Sequence, residues 1–230
     1  MKRIAVTEIH EIEFSSVCNL ACVYCPHPKL QRAKAHMEWP VFERTLEHVR
    51  YLVGKGTQKE LSLTGIGEAI LHPRFVEMMG LCREAMGELP VYVSTNGVAM
   101  TKELAREIQK ARVGVYVSLH RPEVAGPAIR MLDEAKVSRA ANHAFVDSSL
   151  DWAGQVEWHV SAPRVQCGYL SRGWAVVRQD GSIDACCMDA HGLYPVASVW
   201  DAPGSLLTNA MDLCKNCNFH VPAELMEAAA

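Results

Sequence analysis

Apolar residues recur along the first two thirds of the chain at two alternating spacings. Across residues 8–14, Ile9, Ile12 and Phe14 stand among polar neighbours, the pattern of a half-buried strand. Pro40 can open a helix, and Phe42, Leu46, Val49 and Val53 follow it at helical spacing. Residues 61–64 predict a short strand. Pro73 can open a second helix, carrying Phe75, Met78, Met79 and Cys82. Residues 91–94 predict another strand, and Thr101 can cap a helix whose Leu104, Ile108 and Ala111 share one face. Residues 113–119 form the clearest strand pattern in the chain. A helix around 128–135 follows, then weaker strand patterns at 144–146 and 156–160.

Strand and helix therefore alternate through about six units by Val160. Such alternation favours a parallel sheet with helices outside it. Six units are too few for the eight-fold closed barrel, so the expected fold is α/β, a partial (β/α)6 TIM-like barrel. From about residue 162 the helical period fades. Glycines, cysteines and short strands (residues 174–178 and 182–185) take over, which predicts a division into a barrel, residues 1–162, and a small cysteine-rich extension, residues 163–230.

The 230 residues are half apolar, enough for a sizeable core. A net charge of −3 gives no electrostatic reason to expect nucleic acid or an anionic membrane as partner. The first residues lack the apolar run of a signal peptide, and no stretch approaches a membrane span, so a cytoplasmic protein is expected. Nine cysteines, an odd number, fit metal or redox chemistry better than disulfides in a reducing compartment. Three of them lie within eight residues, Cys82 stands alone as a core thiol, and five follow position 166.

Cys18, Cys22 and Cys25 form C-x3-C-x2-C on one loop after the first strand. Three thiolates on an iron–sulfur cube leave one iron open as a Lewis acid, as in an open zinc site. Spacing alone also allows a structural zinc completed by His27 or His36, and does not decide between the two. Gly65, Gly67 and Glu68 follow the second strand. Glycines there would let backbone approach a ligand, and the carboxylate could accept from an ammonium. Ser94 and Asn96 follow the third strand and Ser118 ends the fourth; Asn96-Gly97 also reads as an ordinary turn.

This C-x3-C-x-aromatic-C loop, with Tyr24 at the aromatic position, resembles the radical S-adenosylmethionine (SAM) superfamily. The resemblance continues in the Gly-Ile-Gly-Glu segment, where Ala69 stands in place of a frequent proline, and in Ser94–Gly97 and Ser118. It spans roughly residues 8–160. It implies a [4Fe–4S] cluster on Cys18, Cys22 and Cys25, with SAM chelating the fourth iron. It also implies SAM contacts from Tyr24, Gly65, Gly67, Glu68, Ser94, Asn96 and Ser118, the backbone of Tyr24 lying near the adenine.

The C-terminal cysteines carry a second resemblance. Cys214-x2-Cys217 is a strong metal-ligand pair in itself. The arrangement W…D-G-x4-C-C-x-D…C-x2-C resembles the auxiliary-cluster extension called SPASM, in its shortened twitch form. That implies a second [4Fe–4S] cluster on Cys167, Cys186, Cys214 and Cys217. Cys186 is chosen over Cys187 by its offset from Gly181, since adjacent residues of a strand face opposite ways. His191 and His220 are alternative ligands.

Together the resemblances imply an enzyme that cleaves SAM reductively to a 5′-deoxyadenosyl radical and takes hydrogen from a small or carrier-tethered substrate, with oxidation or rearrangement following. The auxiliary cluster would exchange an electron with the substrate radical or a donor. A reducing donor such as flavodoxin or ferredoxin is implied. Tyr116, Arg121, Arg130, His143, Trp152 and Trp158 are candidate pocket residues. Competing expectations are a peptide-modifying maturase, a zinc-binding interaction module, and an iron–sulfur electron carrier, for which the open triad is one ligand short.

Overall fold

A computed structural model describes residues 3–119, 122–142, 152–156, 165–215, 217, 219 and 220. In chain order the elements are β1 (Ile4–Ala5), β2 (Glu8–Ile12), α1 (Trp39–Gly54), β3 (Leu61–Leu63), α2 (Phe75–Met86), β4 (Val91–Thr95), α3 (Lys102–Lys110), β5 (Gly114–Ser118), α4 (Pro122–Glu134), β6 (Arg139–Asn142), β7 (Val165–Gln166), α5 (Gly168–Arg172), β8 (Trp174–Val177), β9 (Ser182–Asp184), β10 (Pro195–Ser198), β11 (Leu207–Thr208) and β12 (Phe219–His220).

The helices form where the periodicity places them. Phe42, Leu46 and Val49 line the buried face of α1. Thr101 caps α3, its hydroxyl accepting from Leu104 N at 3.1 Å. Helix α4 starts at Pro122, six residues before the position its apolar spacing suggested. No helix among the described residues is long and apolar enough to cross a membrane.

Eight strands build the main sheet in the order β10-β9-β8-β2-β3-β4-β5-β6. The six from β8 to β6 are parallel, and β9 and β10 add an antiparallel edge. The sheet is that of a partial TIM-type barrel. Its sixth parallel strand differs from expectation, however. It is β8, which comes from the segment assigned to the extension and pairs with β2. The expected strands at 144–146 and 156–160 lie outside the described residues, apart from Val156.

Alternation along the strands sorts their side chains. Leu61, Leu63, Val91, Val93, Val115 and Val117 are buried on one face in a single large core. Glu11, Ser62, Ser94 and Tyr116 turn to the other face, into the barrel interior. A bulge between Ile9 and Glu11 shifts the register of β2 against β8. The buried amide of Gln58 satisfies the backbone there, donating to Ile9 O at 2.7 Å and accepting from Ile9 N at 3.1 Å. Bulges re-aim side chains in this way. A smaller apolar cluster under the C-terminal segment gathers Cys167, Leu170, Ala185, Cys186, Met188, Met211 and Cys217.

Candidate active site

A cavity of about 410 Å³ opens at the C-terminal ends of the parallel strands, the edge where parallel α/β folds place their sites. All ten residues expected near the first cluster and SAM line it: Cys18, Cys22, Tyr24, Cys25, Gly65, Gly67, Glu68, Ser94, Asn96 and Ser118.

The cysteine loop is shaped by its own backbone. Cys25 N donates to Cys22 O at 3.1 Å, and His27 N points at Cys25 Sγ at 3.5 Å. Asn96 Nδ2 lies 3.8 Å from Cys18 Sγ. All three cysteines are free thiols. Burial pushes the Cys25 thiol up to about 11, and burial likewise raises Cys18. Thiols held protonated in this way must lose their protons to a metal on binding. Among the described residues no three cysteine sulfurs lie within 4.8 Å of one another. A tetrahedral zinc, with Zn–S near 2.3 Å, would need thiolates roughly 3.8 Å apart. At least one pair of the three thiols therefore stands farther apart than such an ion would hold it. Neither histidine offered as a zinc ligand joins the thiols. His27 Nε2 is 3.1 Å from Ser16 O, and the His36 ring packs edge-on against His72. Glu8, His10 and Glu60 do fall within 4.8 Å of one another, but His10 there stacks on Trp174 and contacts Glu8 at 3.2 Å.

Glu68 is buried, and Asn96 N donates to its Oε2 at 2.8 Å. Its Oε1 is buried without a hydrogen-bond partner. Desolvation outweighs these contacts and pushes its carboxyl up to about 7. A cationic ligand reaching Oε1 would satisfy the orphan atom. The glycines also have a packing reason, beside the expected approach of a ligand. A Cβ on Gly65 would lie 2.3 Å from Glu13 Cγ, and one on Gly67 would lie 2.2 Å from Ser15 O. They are required because the segment packs directly on the end of β2. Tyr24 lines the cavity as expected, and its backbone carbonyl accepts from Trp152 Nε1 at 3.1 Å.

The second cysteine group lines a separate cavity of about 210 Å³. Cys167, Cys186, Cys214 and Cys217 share it with Leu170, Ala185, Met188 and Met211, an apolar surround with soft donors. Met211 N donates to Cys214 Sγ at 3.3 Å. Cys187 faces the larger cavity instead. The pair lies just beyond β9 rather than within a strand, but the two thiols still point to different cavities. His191 Nδ1 accepts from Gln31 N at 3.3 Å and is occupied by that contact. The side chain of His220 falls outside what the structure describes.

Of the remaining pocket candidates, Tyr116 and Trp152 line the large cavity. Arg130 is exposed on α4. Arg121, His143 and Trp158 lie outside the described residues. The sequence reading missed Glu11, Glu13, Arg32, Tyr169 and Arg178. Arg32 holds Glu13 with two bonds, at 2.7 and 2.8 Å, and Glu13 Oε2 accepts from Ile66 N at 2.8 Å. Arg178 pairs with the buried carboxylates of Asp184 and Asp189. One signal was present: Glu11 and Glu13 stand two apart at the end of the first strand, a spacing that puts both on the same face.

The model of the Radical SAM superfamily matches residues 12–140, more than half of the chain. GTP 3′,8-cyclase of Chlorobaculum tepidum is 32% identical over 108 residues, 47% of this chain and 31% of that protein. The tungsten-containing aldehyde ferredoxin oxidoreductase cofactor-modifying protein of Pyrococcus furiosus is 30% identical over 112 residues, 47% of this chain and 29% of its own length. The matched stretch thus spans less than a third of either relative. Among solved structures, BtrN in complex with AdoMet and 2-DOIA superposes with a TM-score of 0.67 at 18% identity, covering 86% of this chain and 80% of BtrN. Streptococcus suis SuiB bound to precursor peptide SuiA gives 0.65 at 11% identity, covering 92% of this chain and 69% of SuiB. At such identities these two likenesses establish the fold alone.

Proposed function

This chain belongs to the radical SAM superfamily, and from that premise we propose that it holds a catalytic [4Fe–4S] cluster on Cys18, Cys22 and Cys25 and oxidises or rearranges a small or carrier-tethered substrate. When bound, the cluster and SAM supply reductive cleavage of the sulfonium and a 5′-deoxyadenosyl radical that takes a hydrogen atom from the substrate. The protein's own residues bind and orient. Glu68 offers its orphan Oε1 to the SAM ammonium. Asn96 fixes Glu68 through its backbone N–H, and its side chain bridges to Asn19 at 2.8 Å beside Cys18. Ser94 and Ser118 offer hydroxyls from neighbouring strand ends, and Tyr24 lends backbone and ring to the wall. The observation that carries this reading is the convergence of all ten residues, from four separate chain segments, on one cavity with a buried, unsatisfied carboxylate oxygen.

The proposal extends to a second [4Fe–4S] cluster on Cys167, Cys186, Cys214 and Cys217, in a twitch-like extension of residues 163–230 that shares the barrel's sheet through β8. Support comes from the four thiols lining one apolar cavity while Cys187 stays outside it. Four protein ligands would close this cluster, leaving it an electron-transfer role with a cytoplasmic donor of the flavodoxin or ferredoxin kind.

The test is the iron, sulfide and zinc content of anaerobically reconstituted protein, beside a variant with Cys18, Cys22 and Cys25 all changed to Ala. About eight irons in the wild type and about four in the variant are expected for two cubes, with 5′-deoxyadenosine formed by the wild type alone. One or two zinc ions per chain without stable iron would overturn the enzyme reading in favour of a structural zinc module.

A further inference from the structure

The charged groups facing the large cavity are unequally satisfied. Glu13 is held by Arg32, and Arg178 by Asp184 and Asp189. Glu68 accepts from the Asn96 amide and is, on the reading above, assigned to the ammonium of SAM. Glu11 is different. It sits on β2 two residues before Glu13, roughly 7 Å deeper along the strand, between Ser62 of β3 and Val176 of β8. It is 9% exposed.

The partners of Glu11 are uncharged. Tyr169 donates its hydroxyl to Oε1, and the Cys187 thiol is hydrogen-bonded in the same group. Among the described residues no lysine or arginine forms an ion pair with Glu11. The other titratable groups acting on it are His10, whose ring is stacked on Trp174 and bonded to Glu8, and Glu13, which is already neutralised. Burying a carboxylate without a cation is costly. The cavity therefore carries two carboxylates without a cationic partner among the described residues, and SAM supplies a cation for one of them.

We infer that Glu11 is the substrate-recognising residue of the cavity, and that the substrate presents a cationic nitrogen to it. This rests on the SAM-site reading, which assigns Glu68 and leaves Glu11 over. Three further observations agree. The carboxylate lies on the floor, below the level of the SAM residues at the strand ends. Its partner Tyr169 also lines the four-cysteine cavity, so the nitrogen is anchored on the wall between the two cysteine groups. Desolvation raises the Glu11 carboxyl, and an arriving cation restores the ionised form.

The test uses the full chain, anaerobically reconstituted and saturated with SAM, and equilibrium dialysis of three probes: cyclohexylamine, cyclohexanol and Nα-acetyl-lysine methylamide. A charge-assisted bond is about twice as strong as a neutral one. Cyclohexylammonium is thus expected to bind roughly tenfold or more tightly than cyclohexanol, a preference that collapses in Glu11→Gln and persists in Glu11→Asp, which keeps the charge. Should the lysine derivative bind tightly and cyclohexylamine not, the cation is carried by a peptide rather than a free amine. Equal binding of cyclohexylamine, cyclohexanol and the lysine derivative overturns the proposal, as does a preference that survives Glu11→Gln. SAM affinity of the wild type is measured in the same samples. Failure to bind SAM there overturns the SAM-site reading, whereas intact SAM binding without any preference for the cations overturns this inference alone.

Discussion

Gly67→Ala is the sharpest perturbation of the segment proposed to contact SAM. The added Cβ would lie 2.2 Å from Ser15 O and 2.6 Å from Ser16 Cα, against 3.4 Å or more for ordinary contact. The partner atoms are backbone and cannot rotate away. Ser15 and Ser16 are buried, and Ser16 N is tied to Ala35 O at 2.9 Å. The segment is anchored on its other side by Glu68 N donating to Val17 O at 2.8 Å. One of the two chains must therefore retreat by about 1 Å. Forced overpacking costs about 1–3 kcal/mol, a fall in Tm of roughly 2–12 °C for a domain of this size. The same shift carries Glu68 away from the cysteine loop, and misplacement on that scale can cost up to about 100-fold. SAM affinity is expected to fall at least tenfold. Gly80→Ala is the control, since Gly80 sits exposed in α2 with nothing within 4 Å of its added Cβ. It should gain about 0.5–1 kcal/mol from helix propensity and bind SAM as the wild type does. Differential scanning fluorimetry and equilibrium dialysis of SAM measure both. A Gly67→Ala protein that melts and binds like the wild type would refute the packing argument.

Glu68→Gln removes a charge-assisted bond worth about 1.5–3 kcal/mol, so SAM should bind about 10- to 150-fold more weakly. The Tm should hold or rise, because a poorly solvated carboxylate is replaced by a neutral amide; unchanged SAM affinity would remove Glu68 from the site. Cys186→Ala should cut iron by about four per chain while Cys187→Ala keeps about eight, and the reverse result would exchange the two assignments. His72 is buried neutral, with Nε2 bonded to Met37 O at 2.9 Å and Nδ1 accepting from Arg74 N at 3.0 Å. Burial lowers its folded pKa below 6.5, so its stabilising contribution is complete above pH 6.5 and is lost as pH falls through the folded value. Urea midpoints should decline on acidification below pH 6.5 and decline less steeply in His72→Gln; a parallel decline would clear His72 of the effect.

What could be read from the sequence divides along sequence separation. The residues proposed to contact SAM lie in short runs just after strands, and local alternation fixes which way each strand presents them. Cys18 to Cys25, Gly65 to Glu68 and Ser94 to Asn96 therefore converge as soon as the strands are parallel and adjacent. Cys186 and Cys187 do line different cavities, but they lie beyond β9, so strand alternation does not account for it. The packing of Gly65 and Gly67 on Glu13 and Ser15 is a further reason for glycine there, and local pattern carries no trace of it because that backbone lies about 50 residues earlier.

Residues assembled by distant pairing were invisible. Strand β8 reads as a short apolar run of the extension, and nothing local says that it joins the free edge of β2. Yet that pairing sets Val176 beside Glu11 and brings α5 close enough for Tyr169 to reach Glu11 across 158 residues. It also brings Arg178 beside Glu13, whose N–H donates to Val177 O at 2.9 Å, and Arg178 shares the Ala190 carbonyl with Arg32. The proposed SAM contacts thus sit in contiguous motifs, while Glu11, Tyr169 and Arg178 are brought together by the pairing of β8 with β2. A resemblance drawn from motifs reads the first and passes over the second, which is why Glu11 emerges only once β8 is in register.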